Sequence, residues 1–386
     1  MEHLCKVEDC CGCLSCYNIC KSNAITLEED EMGFVYPLVI KNNCINCGAC
    51  DNICPILKKT GKKPIKEALG ARLKDRRSLS QSTSGGIATY FAKKMLEQDS
   101  IIYGVSYIDN VVTYDRVDDI VGISRIRGTK YSEPKKIFWQ SLEEDINNKK
   151  TILFFGTPCT IAAVKIKFPS YEQLYTCELV CHGITSTRVL KEYIEYIEKK
   201  YNKKVKKINV RHKKDGVWDP PYLKVDFIDN TKIEELFFTN SIFGYAFQNI
   251  SRPSCYKCKF KGEQSLADLT IGDFWGVDKT SKIYTKEGVS IVLVRTKKGE
   301  KMIDFDDTII FEKVDYNKVV KYNYPIVQST KHTKSNLEFT KKFAKYPLNI
   351  ACKKSNDYRK MILTNQIKNV NKHVKELIKR IVYEKK

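Results

Sequence analysis

The stretch DCCGCLSCYNIC, residues 9–20, places five cysteines within eleven positions. Four of them follow the spacing Cys10-x2-Cys13-x2-Cys16-x3-Cys20, and the pattern returns as Cys44-x2-Cys47-x2-Cys50-x3-Cys54 followed by Pro55. This is the internal repeat of a bacterial two-cluster ferredoxin. In that pattern three close thiolates wrap one iron–sulfur cube and the fourth cysteine of each run reaches across to the other. The expected ligands are Cys10, Cys13, Cys16 and Cys54 for one 4Fe–4S cluster, and Cys44, Cys47, Cys50 and Cys20 for the second. Cys11 is out of phase and free for packing. Lys21 stands where proline usually follows the first run. The competing chemistry, paired zinc sites, favours two CxxC pairs separated by a longer loop.

Further cysteines sit at the ends of expected strands. TILFFG (151–156) leads through Thr157 and Pro158 to Cys159 and a helix, and LYTCELVC (174–181) leads to Ser186, a helix N-cap. Strand–turn–helix units of this kind build a parallel sheet whose carboxyl ends share one edge, where ligands bind. Cys159 and Cys181 belong to that edge, each near a helix N-terminus, which stabilises a thiolate. Cys255 and Cys258 form a CxxC pair ringed by Arg252, Lys257, Lys259 and Lys261. Two plus two suffices for a third cluster. Buried core cysteines or a zinc or dithiol CxxC would give the same spacing, and Cys177 competes with Cys181 because both face one side of a strand.

The elements that must position these groups follow from composition. The chain has 386 residues and sixteen cysteines, with a net charge of +21. Residues 1–57 carry three lysines against eight acids, a net −5, which leaves +26 on the rest. An acidic head thus precedes a basic body suited to anionic ligands. No apolar run reaches eighteen residues, and the polar N-terminus has neither a secretory nor a transit pattern, so the protein is expected in the cytoplasm with no transmembrane segment. In that reducing compartment, spaced cysteines signal metal or redox chemistry. No GxGxxG or P-loop occurs, and no nucleic-acid-binding motif accompanies the charge.

The expected fold is an α+β ferredoxin-like head over 1–60, an α/β domain with a largely parallel sheet over 61–330, and a basic, mostly helical extension over 331–386. In that extension Leu363, Ile367, Val370, Val374, Leu377 and Ile381 form an amphipathic stripe. It is expected to pack on its own domain, with peripheral contact to an anionic membrane as the alternative. STSGG (82–86) opens a helix whose amides can cradle a phosphate, and RIRGTKY (125–131) offers further cations.

In order, STSGG, RGTKY, FFGTPCTIAA, CELVCHGITS, RPSCYKCKFKG, ADLTIGDFWGVD and GVSIVLVRT resemble the coenzyme F-420 hydrogenase/dehydrogenase beta-subunit family over about residues 80–300. The resemblance implies that Cys159, Cys181, Cys255 and Cys258 hold a third 4Fe–4S cluster. It also implies a flavin, FAD, near Ser84, Gly85, Gly86 and Lys130, with Asp273 and Trp275 lining the same edge. Thr160 and Gln264-Ser265 depart from the family's frequent glutamine and arginine. The function so implied is an iron–sulfur flavoprotein oxidoreductase. It relays single electrons between a redox partner protein and a flavin, which reduces or oxidises a small anionic substrate or a deazaflavin coenzyme. The alternative is a non-catalytic electron-transfer subunit of a larger complex.

Overall fold

The computed structural model describes residues 2–58, 61 and 63–367. The head has three short antiparallel strands, β1 (Glu2–His3), β2 (Ile25–Glu29) and β3 (Val35–Val39), in the order β1-β3-β2. Two five-residue helices, Ser15–Ile19 and Ala49–Ile53, pack against each other. The sequence repeat is also a backbone repeat. Gly12 (φ 63°) and Leu14 (φ 60°) match Asn46 (φ 54°) and Gly48 (φ 70°) in left-handed conformation. Each pair turns the chain between successive cysteines, and Leu14 accepts a φ that non-glycine residues seldom take.

The body is built on an eight-stranded sheet of β4 (Glu67–Leu73), β5 (Ile101–Ile108), β6 (Val111–Val117), β7 (Ile152–Gly156), β8 (Leu174–Leu179), β12 (Leu269–Asp273), β13 (Ser290–Val294) and β14 (Ile309–Lys313). A smaller antiparallel sheet is inserted between β8 and β12: β9 (Val205–His212), β10 (Tyr222–Phe227) and β11 (Lys232–Leu236). The large sheet runs β14-β4-β13-β12-β8-β7-β5-β6. Its centre, β12-β8-β7-β5, is parallel, and antiparallel strands extend it on both sides. The parallel strands β7 and β8 read as apolar runs because both faces are covered: Ile152, Leu153, Phe154 and Cys177 are fully buried. Pro158 starts the helix Pro158–Lys167, where its missing N–H costs nothing, and the Ser186 hydroxyl accepts from the Val189 amide to cap Thr187–Tyr201.

Head and body share cores. Phe34 and Tyr36 of the head pack with Val189 and Tyr193, while Cys11 and Cys13 pack with Trp139 and Phe154. Trp139, 1% exposed, donates its indole N–H to the Cys13 carbonyl at 3.0 Å. Trp139→Ala is therefore expected to cost about 3–5 kcal/mol in a urea melt, and Trp139→Phe, which keeps the ring, about 1 kcal/mol.

Within 331–386, the helices Lys334–Lys345 and Leu348–Lys354 bury Phe339, Phe343, Leu348 and Cys352 in the body's core. In the next helical stretch Leu363 and Ile367 lie exposed, against the expectation that the stripe packs back. The same helix seats itself instead through Tyr358 and Met361, which pack on the body's core, and leaves these two stripe positions outside the contact. Val370, Val374, Leu377 and Ile381 lie outside the described residues. Among those described, no helix is long and apolar enough to cross a membrane.

Candidate functional site

Cys10, Cys13, Cys16 and Cys54 line one cavity, joined by Cys5 and Cys11. The C-cap position of the second head helix brings Cys54 there, and the helix Ser15–Ile19 brings Cys16. Cys5 lies within thiol hydrogen-bond reach of both Cys10 and Cys54, and its single S–H lowers whichever of the two it faces below the ordinary thiol range. Burial pushes Cys16 up. Cys11 lies between Cys13 on one side and Cys159 of the body on the other, and its single S–H lowers whichever of the two it faces. The second set lies outward. Cys47 is exposed, Cys20 is close enough for its charge to act on Cys50, and the Cys44 thiol donates to Asn46 Oδ1 at 3.7 Å.

Cys159, Cys181, Cys255 and Cys258 come from three separate segments and meet. Burial raises Cys181, Cys255 and Cys258, the last to about 12, and each of these thiols also feels Cys159. Gly183 (φ 150°) turns the chain beside them, where a Cβ would stand 2.8 Å from Ser251 Oγ and 3.5 Å from Cys255 Cβ. Cys177 is elsewhere. Fully buried, it packs with Leu269 and Ile271 inside the sheet's core. The strand ends at Leu179, so Cys181 leaves the face that Cys177 occupies and turns to the edge. Among the described residues no three His, Cys, Asp or Glu side chains converge on a single ion. A cube spreads its four sulfurs more widely than one ion does, so these donor sets suit a cluster better than zinc.

The residues expected near a flavin fall in one region and make firm internal contacts. Ser84 Oγ donates to Val289 O at 2.8 Å, and the Gly85 amide donates to Ser290 Oγ at 3.0 Å. A Cβ on Gly85 would stand 2.4 Å from Ala71 O, so only glycine lets this loop lie on the sheet. Gly86 (φ 83°) turns the chain into the helix Ile87–Leu96. Lys130 Nζ donates to the carbonyls of Arg125, Ile126, Arg127 and Gly128, so its amine closes its own loop. Thr83 and Thr129 then join the two loops through a 3.2 Å hydroxyl contact.

Three residues that carried no motif complete the region. Arg211 pairs with Asp273 at 2.9 Å, donates to the Tyr131 hydroxyl at 3.3 Å and lies 5.5 Å from the Trp275 ring centre. It is 6% exposed, and its Nε makes no hydrogen bond among the described residues. Trp218 stacks on Trp275 with centroids 4.6 Å apart. Lys213 Nζ donates to Leu79 O and Ser84 O, and burial brings it down to about 8. Stacked indoles beside buried cations fit a flat, anionic ligand.

Residues 149–318 match the family described as the C terminus of the beta subunit of coenzyme F420 hydrogenase/dehydrogenase. That span contains the motifs of Cys159, Cys181, Cys255, Cys258, Asp273 and Trp275, whereas Ser84, Gly85, Gly86 and Lys130 precede it. An uncharacterized protein of Methanocaldococcus jannaschii is 23% identical over 358 residues, covering 81% of this chain and 89% of that protein. The F subunit of the F(420)H(2) dehydrogenase of Methanosarcina mazei is 21% identical over 318 residues, covering 76% and 81%. A chain of the F420-reducing [NiFe] hydrogenase complex from Methanosarcina barkeri aligns with a TM-score of 0.45 at 19% identity, covering 76% of this chain and 91% of that one. The family match thus makes residues 149–318, rather than the whole chain, similar to the C-terminal segment of the coenzyme F420 hydrogenase/dehydrogenase beta subunit.

Proposed function

We propose that the protein is an iron–sulfur flavoprotein oxidoreductase with three 4Fe–4S clusters and one flavin, FAD. The observation that carries this reading is the meeting of Cys159, Cys181, Cys255 and Cys258 at one sheet edge, joined through Cys11 to the cavity of Cys10, Cys13, Cys16 and Cys54. Bound there, clusters would carry electrons singly and a flavin would pair them for hydride transfer to a deazaflavin coenzyme or another small anion.

The chain's own residues divide the work. The outer set of Cys20, Cys44, Cys47 and Cys50 faces solvent and suits contact with a redox partner protein. In the inner set Cys13, Cys16 and Cys54 are buried and Trp139 packs on Cys13, which limits the access of water. Ser84, Gly85, Gly86 and the loop closed by Lys130 would hold the phosphate end of the flavin. Trp275, Trp218 and Asp273-paired Arg211 would hold its ring. Arg211 brings positive charge to the buried end, where an anionic ligand needs it.

Anaerobic purification with iron, sulfide and flavin assays tests this. About twelve irons per chain and one bound flavin are expected, since three cubes hold four irons each. Arg211→Met is expected to lose flavin with iron unchanged. Zinc without flavin would sink the proposal. A relay component of a larger complex is the second reading, favoured because the Methanosarcina mazei relative is itself one subunit of a dehydrogenase. It predicts the same cofactors but no turnover until a partner protein is added.

A further inference from the structure

Arg252 belongs to the segment that carries Cys255, yet its side chain is spent on the head. It is 1% exposed and pairs with Glu133 at 2.8 Å, and Lys136 holds the same carboxylate at 3.1 Å. Its guanidinium donates to Val35 O at 2.9 Å and to Cys10 O at 3.4 Å. It also stands 4.5 Å from the Tyr36 ring centre and 5.0 Å from that of Phe34. Gly12, between Cys11 and Cys13, admits it: a Cβ there would stand 2.7 Å from the guanidinium carbon. On its main chain, Arg252 accepts from the Cys255 amide at 2.8 Å and donates to Ile184 O at 3.1 Å, in the segment that follows Cys181. The Glu133 amide in turn donates to Thr185 O at 2.8 Å. A single residue thereby touches the ligand loops of both the head's inner set and the body's set.

A buried ion cluster of this kind is a poor source of net stability, because desolvation offsets most of the Coulomb attraction. What it supplies is geometry and field. Glu133 and Asp30 oppose Arg252 and Lys136, and what reaches the head's inner set is the near charge, the guanidinium, in a medium that screens weakly. The charge lies beside Cys10, on whose sulfur the Arg252 charge acts.

We infer that Arg252, balanced by Glu133 and Lys136, is a positioning residue that fixes the head's Cys10, Cys13, Cys16 and Cys54 centre against the body's centre and raises the reduction potential of the former. The inference rests on the cluster reading above. A cluster that gains an electron gains negative charge, so a fixed cation favours its reduced form, and net charge is one of the levers on cluster potential. Raising the inner head centre makes it the acceptor from the exposed outer one and the donor nearest the body, across the Cys11 thiol.

The test is an EPR-monitored redox titration of the full chain, reconstituted anaerobically with iron and sulfide. Arg252→Met is expected to lower the midpoint of the inner head signal by on the order of 60 mV, a tenfold change for a one-electron couple. Glu133→Gln, which unmasks the guanidinium, is expected to raise it, and Arg252→Lys to stay near wild type. Opposite signs for the two neutralising changes are what packing alone would not produce. Full iron with both midpoints unmoved, or moved the same way, overturns the inference and leaves the cluster reading standing. A wild type lacking the inner head signal overturns both. Where Arg252→Met sheds iron, the sign of the Glu133→Gln shift decides.

Discussion

Cys54→Ala is expected to empty the inner site of the first cysteine run, and Cys20→Ala the outer site of the second. Each variant is expected to retain about eight of twelve irons. The result is counter-intuitive on sequence adjacency, because Cys20 follows Cys16 by four positions and Cys54 by chain order belongs with Cys50. Space reverses the pairing. Cys54 lines the cavity of Cys10, Cys13 and Cys16 and acts electrostatically on Cys16, while Cys20 acts on Cys50. The two losses are separable because the sites differ in access: Cys13, Cys16 and Cys54 are buried, and Cys47 is exposed. A chelator time course on wild type should therefore show a fast outer and a slow inner fraction of head iron. Cys54→Ala should delete the slow fraction and Cys20→Ala the fast one. If Cys54→Ala deletes the fast fraction, the crossed wiring is wrong.

Spacing made the grouping of the head's cysteines legible because they are local in sequence and their backbone repeats. The αL residues Gly12 and Leu14 recur as Asn46 and Gly48, so one period dictates both halves. The body's cysteines were partly legible, since strand ends in a parallel sheet share an edge, but the choice between Cys177 and Cys181 turned on where β8 stops. Period alone does not fix a strand's last residue. Arg252 and Arg211 were not legible as more than charge. Their partners lie far along the chain, with Glu133 119 positions and Val35 217 positions from Arg252. No local pattern encodes such contacts. Cys5 and Cys11 do carry a signal in the sequence: a thiol close to a ligand run but out of its period is placed to donate to the ligands. The 334–354 helices show the same limit from the other side. Their lysines advertise a solvated tail, yet Phe339 and Phe343 carry them into the core.

The choice between Cys177 and Cys181 gives the second large effect, and the two serines should fail in opposite ways. Cys181→Ser is expected to lose about four irons, the third cube, with little change in the stability of the iron-free chain. Cys181 lies at the edge, where a hydroxyl finds water, and its loss removes one of four thiolates from a set with no spare. Cys177→Ser is expected to keep all the iron and to cost about 1–3 kcal/mol in urea unfolding, because it buries a hydroxyl among Leu269, Ile271 and Val292. Burial also holds the Cys177 thiol well above its ordinary value, so at neutral pH it is protonated and no ligand. Iron counts and unfolding midpoints on the same two preparations decide the matter. Iron lost from Cys177→Ser and retained in Cys181→Ser would exchange the two roles and move the third site from the sheet's edge into its core. There Glu178 and Asp268 would add negative charge, opposed in part by Arg295 and Lys165. A cluster carrying four thiolates is itself anionic, so that placement would set like charges together in a weakly screening interior. The edge, with Lys261 donating to Cys181 O and its charge acting on Cys181 and Cys258, sets opposite charges together instead.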